Sequence, residues 1–142
     1  MAGHPTSQQT FRPGPNVFVV NDSPRGPYSA FFDDDGEAGY FYAVDLACDS
    51  LILDVLPVYD LRIARGQKRP SALSIVWSRN GQQCALLING LPHAAFDFAA
   101  QRGYSRARVA RDPDQPHRGA WPDSDHSWSD SAVSWLRLRK TA

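Results

Sequence analysis

The chain has only two cysteines, one methionine and two lysines in 142 residues. Cys48 and Cys84 lie far apart without a CxxC partner, which excludes a zinc ribbon or a redox pair and fits two small buried hydrophobes. No apolar run approaches the roughly 18 residues that a membrane-spanning helix needs. The first nine residues are polar, with no apolar stretch of the kind an export signal carries. A cytoplasmic protein with no membrane partner is therefore expected.

Catalytic spacing is equally scarce. GxSxG and the glycine-rich phosphate loop are absent, and Arg65-Gly66-Gln67-Lys68-Arg69 does not fit the latter. A calcium loop begun at Asp33 would place Ala38 where glycine is required. Of the four histidines, His4 lies in a polar leader and His93 follows a proline at the start of a strand, where a packed or surface role is expected. His117 and His126 sit in a proline-rich loop without HExxH or HxxxH spacing. His126, close to Trp128, reads as an anchor for the last helix. These absences predict no enzyme, no metal site and no cofactor.

What the chain does have is segregated charge. Residues 1–60 carry nine acidic side chains against Arg12 and Arg25, whereas residues 61–142 carry thirteen basic against six acidic, so the zero net charge hides a dipolar chain. Asymmetry of this kind points to charged partners. The acidic half peaks at Asp33-Asp34-Asp35-Gly36-Glu37, between aromatic arms containing Tyr28, Tyr40 and Tyr42. With Asp35-Gly36 as a two-residue corner, Asp34 would face Glu37 across the ladder, and like charges so placed oppose folding. The tip suits either a solvated turn or a surface for a basic partner.

Residues 1–15, with Pro5, Pro13 and Pro15, read as a disordered tail, and residues 16–142 as a single domain. Strands are expected at 17–20, 28–33, 38–46 and 51–61, with Pro57 placing the last at an edge or bend. Asn80-Gly81 predicts a hairpin in which Trp77 faces Cys84 and Ile75 faces Leu86. Asn89-Gly90 returns the chain along it, pairing Leu87 with Pro92, and Pro92 favours an edge there. Residues 104–109 add a further short strand. After the proline-rich stretch 112–127, read as an ordered loop or linker, Ser127 or Ser129 can cap a closing helix. The fold class is α+β, mostly antiparallel β, with about eight short strands and a C-terminal helix.

Phe-Asp-Asp-Asp-Gly-Glu-Ala-Gly-Tyr-Phe-Tyr-Ala at 32–43, Ile-Val-Trp-Ser-Arg-Asn-Gly at 75–81 and Leu-Leu-Ile-Asn-Gly-Leu-Pro-His-Ala-Ala-Phe-Asp-Phe at 86–98 resemble a bacterial family of small uncharacterised proteins. Gly103-Tyr104-Ser105-Arg106 and His126-Ser127-Trp128 add to the resemblance. It implies a Whirly-like fold of two crosswise-packed sheets and an immunity protein of contact-dependent growth inhibition. The implied partner is a cognate toxin domain, an EndoU-like or other nuclease. The contact expected on the acidic half is Asp33, Asp34, Asp35 and Glu37, with Tyr28, Tyr40 and Tyr42 as anchors. A second reading is a Whirly-like single-strand nucleic-acid binder using Arg102, Arg106, Arg108 and Tyr104; the Lys-Gly-Lys-Ala strand motif of Whirly proteins is absent, and nucleic acid is not the expected partner. A third is a small-ligand module built on the Trp-rich loop.

Overall fold

The Asn-Gly pairs organise the larger of two sheets. In the computed structural model, which describes residues 7–11, 17–34, 38–60, 71–107, 119–122 and 125–136, nine strands are present among the described residues. They are β1 (Ser7–Phe11), β2 (Val17–Asp22), β3 (Tyr28–Asp34), β4 (Ala38–Asp45), β5 (Leu51–Asp60), β6 (Ser71–Trp77), β7 (Gln83–Ile88), β8 (Leu91–Asp97) and β9 (Arg102–Ser105). β6 and β7 pair with Trp77 opposite Cys84 and Ile75 opposite Leu86, the expected register, although Asn80-Gly81 is not itself the corner. The Gly81 amide donates to the Ser78 carbonyl (3.0 Å), the Ser78 amide to the Gln83 carbonyl (2.8 Å), and Gly81 alone takes positive φ, so residues 79–82 form a four-residue loop. At Asn89-Gly90 both residues take positive φ (53° and 81°), the geometry of a type I′ turn, and Leu87 faces Pro92.

One sheet has the order β1-β6-β7-β8-β9 and the other β2-β3-β4-β5, all neighbours antiparallel. Their facing sides share one core. Phe32, Phe41, Leu56 and Val58 of the smaller sheet meet Ile75, Trp77, Leu86 and Phe96 of the larger. Phe41 and Phe96 stack across the gap at 4.9 Å, and Trp77 Nε1–H donates to the Asn21 carbonyl on β2 (3.2 Å). At one seam β9 lies along β5, with Ser105 Oγ donating to the Pro57 carbonyl (2.5 Å). The amides of Ala120 and Trp121 donate to the Ile52 and Leu53 carbonyls, so this piece of the proline-rich stretch is ordered and sinks the Trp121 ring against Phe96 and Phe98.

The seam has no spare volume at Gly103. A Cβ there would stand 2.5 Å from Asp54 Oδ2, 2.9 Å from Leu56 Cδ2 and 3.0 Å from Phe96 Cε1. Gly103→Ala is expected to cost about 1–3 kcal/mol by overpacking, read as a lower urea midpoint.

Four expectations need correction. Cys48, expected to be a small buried hydrophobe like Cys84, is exposed, and only Cys84 is buried. Residues 7–11, assigned to a disordered tail, form β1 along β6; Ser-Gln-Gln-Thr-Phe has no apolar alternation, and a ladder formed by backbone groups needs none. At Pro92 the expected local edge is present, since β9 pairs only with Ala94–Asp97 of β8 and the ladder ends before the proline, whose missing N–H therefore matters little. β5 does lie at the edge of its sheet, as Pro57 suggested, but two irregularities in its pairing with β4 break the expected alternation, so that Leu53, Leu56 and Val58 are all buried. The closing helix is a 3₁₀ segment, Asp130–Leu136, interrupted at Val133 (φ −122°, ψ 19°). Val133 and Leu136 pack with Val76, Ala85 and Ala95 on the outer side of the larger sheet, and this contact decides the geometry over local propensity.

Candidate functional site

The outer side of the smaller sheet carries apolar residues that the fold leaves exposed or half-buried, Val44 excepted. Opposite residues of antiparallel strands share a face, so the pairings define three rows: Phe18–Asp33–Tyr40–Pro57, Val20–Phe31–Tyr42–Val55 and Asp22–Ser29–Val44–Ile52. Phe31 stacks on Tyr42 at 4.3 Å, and Phe18 leans on Phe31 at 5.4 Å. Phe18 remains 59% exposed and Val20 48%. The three rows hold two carboxylates, Asp22 and Asp33, and no basic residue. Asp22 accepts from Ser29 Oγ at 2.7 Å. The result is an aromatic and aliphatic stripe with a carboxylate on either side, the composition of a protein-binding patch.

Asp33, Tyr40 and Tyr42, expected at the interface, are thus brought together on one face. Asp34 is not. The register sets Asp34 against Gly39 and not against Glu37, which turns its side chain inward, 1% exposed, where Tyr59 Oη–H donates to Oδ2 at 2.5 Å. Burial, and then this carboxylate, push the Tyr59 phenol above its ordinary range, so it stays protonated as the donor. Asp34 is accordingly withdrawn as a surface contact, because a buried, hydrogen-bonded carboxylate does not meet a partner. Tyr28 is withdrawn too, since its ring stacks on Phe98 at 4.5 Å against the core. Asp35 and Glu37 lie outside the described residues. Phe18, Val20 and Phe31 were missed, although β2 and β4 carry apolar residues on both faces, a pattern that asks for cover on both.

Comparison with known proteins gives the chain a family. The model of a family described as uncharacterised proteins conserved in bacteria (DUF2251) matches residues 11–137. The chain belongs to that family. An uncharacterised protein of Haemophilus influenzae is 43% identical over 113 residues, which cover 79% of this chain and 68% of the relative. No solved structure matches the chain.

Elsewhere in this DUF2251 member the polar groups serve the fold. Asp54 on β5 is 1% exposed, and the Nε2–H of His126 donates to its carboxylate, 3.0 Å from each oxygen. The Val55 amide donates to Oδ1 as well, at 3.0 Å. His126 takes a left-handed φ of 55°, and its carbonyl accepts from the Ser105 amide (2.9 Å), so one residue pins the C-terminal loop to both β5 and β9. His126 was expected to anchor the last helix; what it holds is this loop, against β5 and β9. The Ser105 hydroxyl, already donating to Pro57, accepts from the Ala107 amide (3.1 Å). Among the described residues no group of three His, Cys, Asp or Glu could hold a metal ion, and no helix is long and apolar enough to cross a membrane.

The arginines of the alternative reading are also engaged. Arg102 lies 3.5 Å from Asp125 with its guanidinium 5.2 Å from the centre of the Tyr104 ring. Arg106 stands 4.3 Å above Trp128, 3.9 Å from Asp130, and donates Nε–H to the Pro92 carbonyl at 2.6 Å. Each has an aspartate and a ring, which offsets its pull on phosphate. Arg108 is outside the described residues.

Half-buried His93, the extra residue where β8 slips against β7, is held below the ordinary imidazole range by burial and then by the charge of Arg106. The unfolded chain therefore takes up this proton first as the pH falls. Stability is full above the ordinary imidazole pKa, declines as pH drops through it, and levels off once the native imidazole is protonated as well. His93→Gln is expected to lose less stability than the parent between pH 7.5 and 5.5, measured by urea melts at both.

Proposed function

We propose that the chain is an immunity protein: it binds and neutralises a cognate bacterial toxin domain, an EndoU-like or other RNase of a contact-dependent growth inhibition system, in the cytoplasm. It is not itself an enzyme, and its two sheets correspond to a Whirly-like arrangement. The observation that carries the reading is the outer face of the smaller sheet, where Phe18, Val20, Phe31, Tyr40 and Tyr42 surround Asp33 in the acidic half of the chain. Ring area supplies residence time and charge supplies encounter rate. A nuclease domain that grips RNA phosphate is cationic, so it complements a face with two acids and no base. A second copy of this chain would bring like charges together, and single-stranded nucleic acid would meet repulsion from the same face.

The test is a salt series of association rates with the toxin domain encoded by the neighbouring gene. Asp33→Asn should slow association severalfold at low salt and little above about 0.5 M, because exposed charges are screened over roughly 10 Å at 0.1 M and less at higher salt. A rate equal to the parent's at low salt removes Asp33 from the encounter surface.

A further inference from the structure

The chain twice seats a guanidinium against one aromatic ring and one aspartate. Arg106 has Trp128 and Asp130, and Arg102 has Tyr104 and Asp125. The outer face of the smaller sheet presents the same two components at Asp33, which stands directly between Phe18 on β2 and Tyr40 on β4, with Phe31 two residues along its own strand. All four share the side of the sheet on which Phe18 is 59% exposed. We propose that Asp33, Phe18 and Tyr40 form a seat for an arginine side chain supplied by a cationic protein partner. The identity of that partner as a toxin rests on the immunity reading; the seat itself does not.

Three physical points select arginine. A carboxylate oxygen pair offers about four acceptor positions, so a contact made within the chain leaves capacity for a guanidinium fork. Rings on both sides favour a flat, weakly hydrated cation over the compact and strongly hydrated lysine ammonium. Finally, the three rows around the seat contain no basic residue to repel an incoming cation, and Asp22 adds a second negative charge on the same face. Charge complementarity thus names the occupant, and the rings decide which cation.

Octa-arginine and octa-lysine peptides carry the same charge and so separate stacking from simple attraction to an acidic protein. Calorimetric titration of the full chain with each at 0.1 M salt is expected to show octa-arginine binding about fivefold more tightly. Asp33→Asn and Tyr40→Leu should each bring the ratio close to one. Tyr40→Phe, which keeps the ring, should retain the preference, as should Asp49→Asn, an exposed acid outside the three rows. Circular dichroism confirms that each variant is folded. Equal binding of the two peptides by the parent, or a preference that survives Asp33→Asn, overturns the seat. If the preference is absent while substitutions on this face still release the toxin, the seat fails and the immunity reading stands. If the preference is present while the toxin ignores the face, the immunity reading fails and the seat stands.

Discussion

Replacing His126 by alanine is expected to cost about 3–5 kcal/mol of stability, the effect of leaving a buried carboxylate without its partner. Asp54 is 1% exposed and faces His126 Nε2 at 3.0 Å from both oxygens. Removing the imidazole leaves the Val55 amide as a much weaker compensation for the charge. It also loosens the loop whose backbone is bonded to Ser105. Urea unfolding followed by tryptophan fluorescence measures the loss. Asp54→Asn combined with His126→Ala should recover much of it, since a neutral amide replaces the stranded charge, and the double-mutant cycle then reports the coupling of the pair. A single-variant loss below about 1 kcal/mol would show that water reaches the carboxylate and that the pair does not hold the seam.

This pair illustrates what the linear sequence conceals. Asp54 and His126 are 72 positions apart, and neither sits in a motif; His126 was legible only as an anchor beside Trp128, and its partner not at all. The register of both hairpins was legible from their Asn-Gly pairs, which need no tertiary information; only Asn89-Gly90 forms the two-residue corner, while Asn80-Gly81 lies in a four-residue loop that keeps the same register. The acidic tip was legible in composition and misleading in register. Asp33 and Asp34 are chemically alike, so the alternation that sends one outward and the other to Tyr59 leaves no mark in the sequence. A slip of two residues at the turn, from Glu37 to Gly39 as the partner of Asp34, removed the expected carboxylate clash. β1 was invisible for a related reason, since a polar strand at a sheet edge is recognised by its ladder alone. The charge map also overstated the acidic surface, because two of its nine carboxylates, Asp34 and Asp54, are buried. The apolar outer face could have been read from β2 and β4, which carry apolar residues on both sides, a signal that the tyrosines recorded only in part.

The second large effect is expected at that face. Phe31 and Tyr42 stack at the centre of the three rows, the position at which aromatic truncation removes most binding energy; each alanine substitution should weaken toxin binding by about 2 kcal/mol, roughly 30-fold, chiefly through faster dissociation. Their cost to folding should be smaller, because both side chains are only half-buried and a cross-strand aromatic pair contributes about 0.5–1 kcal/mol. The most direct measurement is therefore the dissociation constant of Phe31→Ala/Tyr42→Ala for the toxin domain of the neighbouring gene, beside that of Arg102→Ala/Arg106→Ala on the other sheet. The outer-face account predicts a loss of about 100-fold or more for the first and less than about threefold for the second. An unchanged constant for the first, or the reverse order, would contradict it.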